Sequence, residues 1–173
     1  MGKHGGRSHA SKKPVEHIDH RPMREGKGKT GDAYHAERKS SDAMVCKQCG
    51  VTSFGGKWSW KGPPLADVRE GLCPACQRIR DRYPAGFLEL HGLHPDEKEE
   101  VRNLVRNVET SEKAEHPLER LMEVRDEGEA LIVTTTGMHL GRAIAGALGR
   151  RFRDRVSIDY PREDNRIRVT LRR

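Results

Sequence analysis

At 173 residues and 19.6 kDa the chain has room for one ordinary domain, or for two small ones with a tail. Hydrophobic residues make up 34% and charged residues another 34%, with a mean hydropathy of -0.86, which argues against a single large core. The formal charge of +7 and the pI near 9.4 suit a phosphate-bearing partner, and the absence of a long apolar run or signal-like h-region argues for a cytoplasmic protein with no membrane span.

Along the chain the charge divides unevenly: +4 over residues 1–44, +3 over 45–94, -6 over 95–141 and +6 over 142–173. An acidic middle between basic ends points to ends that bind and a body that is solvated. Residues 1–44 have neither helical nor strand periodicity and are dense in Gly, Lys, Arg, His and Ser, so they are expected to form a disordered basic arm. Five histidines lie there (His4, His9, His17, His20 and His35), readable as metal capture or as solvated side chains.

Residues 45–84 hold two CxxC turns, Cys46 with Cys49 and Cys73 with Cys76. Cysteines at i and i+3 of a tight turn aim both sulfurs at one point, and Gly50 accommodates the backbone just after. Two such knuckles predict a four-thiolate zinc ribbon whose Zn2+ is structural, its binding energy replacing a core the segment is too small to build. A redox dithiol and an Fe–S cluster are the competing readings of the same residues. Between the knuckles, Trp58 and Trp60 share one face of a strand, bracketed by Lys57 and Lys61. Such rings either stack on unpaired bases while the lysines meet phosphates, or roof the metal site.

Residues 85–173 read as an α+β domain in the order β-α-α-β-α-β-β. "GFLELHG" is a short strand, and Val101, Leu104, Val105 and Val108 at i, i+3, i+4 and i+7 predict a helix. A second helix is expected in "PLERLMEVRDEG", with Pro117 in its first turn, a stripe of Leu118, Leu121 and Met122, and Gly128 as its stop. "ALIVTTT" has the look of a central strand. Thr135 or Thr136 is the expected cap of a helix whose stripe is Leu140, Ala143, Ile144, Ala147, Leu148 and Phe152. His91 and His94 read as surface histidines near a turn, and His139 as no part of a catalytic set.

Two antiparallel strands follow, joined through "PREDN", with Val156, Ile158, Tyr160 and Ile167, Val169, Leu171 facing the core. Their outward faces carry Arg155, Arg166, Arg168 and Arg172. Arg142, Arg150 and Arg153 recur on the outer face of the preceding helix. They read either as a solvated helix face or, placed beside the arginine-lined strands, as one continuous nucleic-acid-binding surface.

The order of a four-cysteine ribbon, a strand like "FLELHG", helices, and then "ALIVTTTGMHLGRAIAGALGRRFRDRVSIDYPREDNRIRVTLRR" resembles the family of the nonsense-mediated-decay-related export adaptor of the large ribosomal subunit, with its archaeal and short bacterial relatives. The resemblance covers roughly residues 45–173 and implies association with the large ribosomal subunit through RNA and protein contacts. It does not imply export, since the additional domains and export signals of the eukaryotic member have no counterpart here. The expectation is therefore a non-enzymatic zinc-ribbon protein that binds ribosomal RNA or a ribosomal subunit. The alternative is a DNA-associated zinc-ribbon regulator or accessory subunit, because charge alone does not separate RNA from DNA.

Overall fold

The computed structural model describes residue 34 and residues 43–62, 68–153, 156–160 and 167–172. The expected disorder of the arm, residues 1–44, lies outside the described residues except at Tyr34, which is buried, and at residues 43 and 44, where Met44 already belongs to the first strand of the ribbon. Its ring lies 5.7 Å from that of Tyr83, the Arg78 guanidinium sits 4.5 Å above it, and its hydroxyl donates to Asp81 at 3.1 Å. One point of the expected arm is thus seated on the ribbon. The "PREDN" loop, Arg155 and Arg166 also lie outside the described residues.

The ribbon has four short strands, β1 (Met44–Cys46), β2 (Thr52–Phe54), β3 (Lys57–Ser59) and β4 (Arg69–Gly71), in the order β3-β2-β1-β4, followed by helix α1 (Pro74–Asp81). Strands of three residues enclose little apolar area. The buried cluster is Cys46, Val51, Cys73, Ala75 and Cys76, with Trp58, Leu72 and Leu118 packed against it.

The second unit is a mixed five-stranded sheet with two helices: β5 (Gly86–Leu90), α2 (Pro95–Glu115), β6 (Leu121–Glu127), β7 (Ala130–Thr135), α3 (Met138–Phe152), β8 (Val156–Asp159) and β9 (Ile167–Leu171). The strand order is β6-β7-β5-β9-β8, with β5 and β9 parallel and the other pairs antiparallel. The α+β class and the antiparallel final pair are as the sequence predicts. Val101 and Val105 of α2 and Leu140, Ile144 and Leu148 of α3 are fully buried in one cluster with Leu88, Leu131, Val133 and Val169 of the sheet. Each such valine or leucine contributes on the order of 1.5–3 kcal/mol. By contrast, the exposed ion pair of Lys98 with Asp126, at 2.9 Å, adds no more than about 1 kcal/mol. Apolar burial therefore decides where α2 lies. Among the described residues no helix is long and apolar enough to cross a membrane.

The expected second helix is a strand. Residues 121–127 form β6, paired with β7 from Leu121↔Thr135 to Glu127↔Ala130, with a bulge between Leu121 and Glu123. The spacing of Leu118, Leu121 and Met122 fits a helical stripe locally, but β7 is buried along its whole length and requires a partner on its outer edge. Gly128, at φ +59, opens a two-residue hairpin turn and is not a helix stop. The order is thus β-α-β-β-α-β-β.

Neither threonine caps α3. Thr135 Oγ1 donates to the Gly137 carbonyl, and Thr136 Oγ1 donates to the Leu118 carbonyl while accepting from the Arg120 N–H. The cap comes from a distant residue, Glu119, whose carboxylate accepts from the Leu140 N–H at 2.8 Å. Burial pushes this carboxyl above its usual range, against the lowering effect of that hydrogen bond.

Candidate metal centre and the surrounding surface

The two knuckles are built differently. The first is a turn in which the Gly50 N–H donates to the Cys46 carbonyl at 2.8 Å, and Gly50 takes φ +76 to bring the chain back into β2. The second is a helix start: Cys73 is the N-cap of α1, its Sγ accepts from the Cys76 N–H at 3.4 Å, and Pro74 follows where no N–H is needed. Cys76 thus lies in the first turn, where the helix dipole favours a thiolate.

All four cysteines are free thiols, and their sulfurs lie within 4.8 Å of one another. Cys49 Sγ and Cys73 Sγ are 3.7 Å apart, close to the edge of about 3.8 Å for sulfurs held about 2.3 Å from a common tetrahedral centre. The second pair does stand at a strand-to-helix junction, as in a redox dithiol, but its sulfurs converge with the other pair on one point. The donor set fits a single thiophilic ion.

Local hydrogen bonding differentiates the thiols. Burial raises the Cys46 thiol, but N–H donors from Cys73, Gln48 and Cys49 outweigh it and bring the pKa down to about 6. At Cys76 burial dominates and pushes the pKa up to about 11, and Cys73 moves up for the same reason.

A further residue completes the centre. Arg120, 7% exposed, reaches across from the loop before β6, its Nη2 lying 3.1 Å from Cys49 Sγ and its Nη1 3.5 Å from Cys76 Sγ. Nε donates to the Pro117 carbonyl at 2.9 Å, and the backbone N–H donates to Thr136 Oγ1. The backbone and the guanidinium are thus each held by one hydrogen bond apart from those to sulfur. Nothing in the sequence marks this arginine, because the contact spans 71 residues to Cys49.

The tryptophans divide. Trp58 packs against the cysteine cluster, so its ring roofs the site. Trp60 donates from Nε1 to the Lys113 carbonyl at 2.6 Å, at the C-terminal end of α2, and its ring lies 5.5 Å from the Arg120 guanidinium carbon. It fastens the ribbon to the second unit. Trp60 remains 39% exposed, and the most exposed aromatic among the described residues of the ribbon is Phe54, at 61%. It pairs across the hairpin with Lys57 around the turn Gly55-Gly56, while Ser53↔Trp58 lies on the opposite face. The "FGGK" stretch carried the turn signal that places Phe54 at the tip.

The two sets of expected arginines are not brought together. Arg168 and Arg172 are exposed, and Arg168 alternates with the core-facing Ile167 and Val169, so it points away from the helices. Its neighbours on the sheet are Phe87 and Asp159. On the same face of β6, Arg125 pairs with Glu123 at 3.2 Å and with Glu127. This face is therefore mixed in charge. Arg142 and Arg150 are exposed on α3, on the other side of the sheet, and Arg153 is exposed just past its end, at the C-cap. Arg142 donates to the Tyr160 hydroxyl at 3.0 Å, and with Arg150 it lines a groove between α2 and α3. The continuous arginine surface is thus two separate patches. Lys57 and Lys61 are exposed on the ribbon. His91 pairs with Glu89 at 2.9 Å, and the His94 N–H donates to Glu97 at the start of α2.

Comparison with protein-family models, with curated proteins and with solved structures gave no match.

Proposed function

We propose that the chain is a non-enzymatic, cytosolic zinc-ribbon protein that binds RNA, with the large ribosomal subunit as its site of action. Zinc is the ion the four thiolates favour, because a mutual sulfur spacing within 4.8 Å suits one ion and is too tight to enclose an Fe–S cluster. With four thiolates there is no open coordination position, so the metal's contribution is folding energy. The residues around it divide the remaining work: Arg120 offsets thiolate charge, Trp58 of β3 covers the site, and Phe54 at the β2–β3 turn is left exposed.

The observation that carries the RNA reading is Phe54, 61% exposed at the hairpin tip and paired with Lys57. An apolar ring held out on a short hairpin beside an ammonium group suits stacking on an unpaired base with the phosphate close by. The basic α3 patch and the net charge of +7 supply longer-range attraction. The subunit assignment rests on the family resemblance of residues 45–173.

The test is co-sedimentation of the zinc-loaded chain with separated ribosomal subunits across a salt series, beside binding to single-stranded RNA, duplex RNA and DNA of matched length. Salt-sensitive co-sedimentation with the large subunit and preference for unpaired RNA are expected. Equal binding to duplex DNA with no subunit association would replace this reading with that of a DNA-associated regulator.

A further inference from the structure

Away from the cysteines, α2 ends and α3 begins at one place, and three metal-capable side chains meet there. Glu112 lies in the last turn of α2, His116 is its C-cap, and His139 lies in the first turn of α3. One carboxylate oxygen and one nitrogen from each ring all lie within 4.8 Å of one another. His139 Nε2 is 2.8 Å from Glu112 Oε2, and the two rings stand edge to face with centroids 4.9 Å apart. None of the three is buried.

We propose that Glu112, His116 and His139 form a second, reversible metal site that takes a divalent transition-metal ion of the zinc, cobalt or nickel type. Two imidazoles and a carboxylate are the donors such ions share, whereas magnesium and calcium prefer oxygen alone. A metal with bonds of about 2.0–2.1 Å holds cis nitrogen and oxygen donors roughly 3 Å apart, so the His139–Glu112 pair needs only slight widening.

The surroundings favour a cation. The carbonyl end of α2 points here, with its partial negative charge. The Glu119 carboxylate lies against the backbone two residues before His139, so close that a Cβ on Gly137 would fall 2.1 Å from its Oε1. Three protein ligands leave coordination positions open to water, and Glu112 and His139 line the same groove as Arg142 and Arg150. The site differs from the thiolate centre in donor type, exposure and completeness, so it is expected to fill second and empty first. It also clamps α2 to α3 at the segment His116–Arg120, the same segment that delivers Arg120 to the cysteines.

The test uses the full chain with His4, His9, His17, His20 and His35 each replaced by Gln, so that the N-terminal histidines cannot compete, and with one equivalent of zinc already bound. Cobalt(II) is then titrated by calorimetry and by NMR of the imidazole rings. One further equivalent is expected, without the sulfur-to-cobalt charge-transfer band of a thiolate site, and with paramagnetic broadening at His116 and His139 but not at His91. In His139→Ala, an exposed position, and in Glu112→Gln, a half-buried one, affinity is expected to fall by about tenfold or more. A charge-transfer band in place of broadening at His116 and His139 would put the added cobalt at the cysteines and overturn the proposal. Absence of a further equivalent in the zinc-loaded chain, or affinity unchanged in both variants, would overturn the proposal.

Discussion

Arg120 Nη2 lies 3.1 Å from Cys49 Sγ, a contact between the loop before β6 and the first cysteine knuckle. Four thiolates around a divalent ion carry a net charge of about -2, which is costly to hold in a buried cluster. A guanidinium fixed by Pro117 and pointed at two of the sulfurs offsets part of that charge. Because the arginine belongs to the second unit, metal binding and the docking of the ribbon are linked.

Replacing Arg120 by Ala is therefore expected to lower zinc affinity by about 10- to 100-fold, the range for outer-shell partners of metal ligands. It should also free Trp60, whose ring loses the cation at 5.5 Å, and so shift the tryptophan emission. Arg120→Lys should recover only part of the affinity, since one ammonium cannot serve Pro117 and two sulfurs together. Competition with a chromophoric chelator measures this. Wild-type affinity in Arg120→Ala would show that the guanidinium is merely packed there.

What the sequence made legible was local. Val101, Leu104, Val105 and Val108 announced α2 because a helix satisfies its own backbone and its stripe repeats within a few residues. The cysteine knuckles were legible because metal geometry imposes its own spacing. Residues 121–127 were not, since their strand exists only because β7 lies alongside, and no local periodicity reports a partner. Arg120, Glu119 and Glu112 were invisible for the same reason: each acts on a residue more than twenty positions away. The expected arginine surface failed on topology, because strand alternation sends Arg168 to one side of the sheet while α3 holds Arg142 on the other.

Removal of the metal should unfold one unit and spare the other. The ribbon's buried cluster is mainly cysteine, whereas the second unit has its own core of fully buried Leu, Ile and Val. Chelation, or Cys76→Ser, is expected to collapse amide dispersion for residues 43–82 while the signals of α2, α3 and β5–β9 persist. Loss of dispersion throughout the chain would show that the second unit depends on the metal as well.

Tyr34 offers a pH test of how the expected arm is seated on the ribbon. Burial, then the hydrogen bond to Asp81, pushes its pKa from 10.0 up to about 12. A neutral phenol is thus favoured in the folded state, so its contribution is complete below pH 10 and is lost as pH rises through about 12. An absorbance titration should show one of the three tyrosines ionising late, and Tyr34→Phe should remove that step. Titration of all three together near the ordinary value would mean that Tyr34 is not seated against α1.

The hairpin tip gives the sharpest test of RNA binding, because the ring and the charge at the tip act through different physics. Phe54→Ala removes a stacking surface and no charge, so affinity for single-stranded RNA should fall by about 1–3 kcal/mol while the salt dependence stays unchanged. Lys57→Ala should do the reverse, with a modest loss at low salt and a log–log slope shallower by about 0.7. Neither change should disturb folding, since Phe54 is 61% exposed and Lys57 lies on the face opposite Trp58. Trp58→Ala serves as the contrast: its ring packs on the cysteine cluster, so that variant should lose zinc along with RNA. Binding is measured by fluorescence anisotropy of a labelled unstructured RNA at several salt concentrations, with zinc content determined on each sample. If Phe54→Ala binds as wild type does, with zinc retained, the hairpin is not the stacking element. A slope change on Arg142→Ala or Arg150→Ala would then move the contact to the α3 patch.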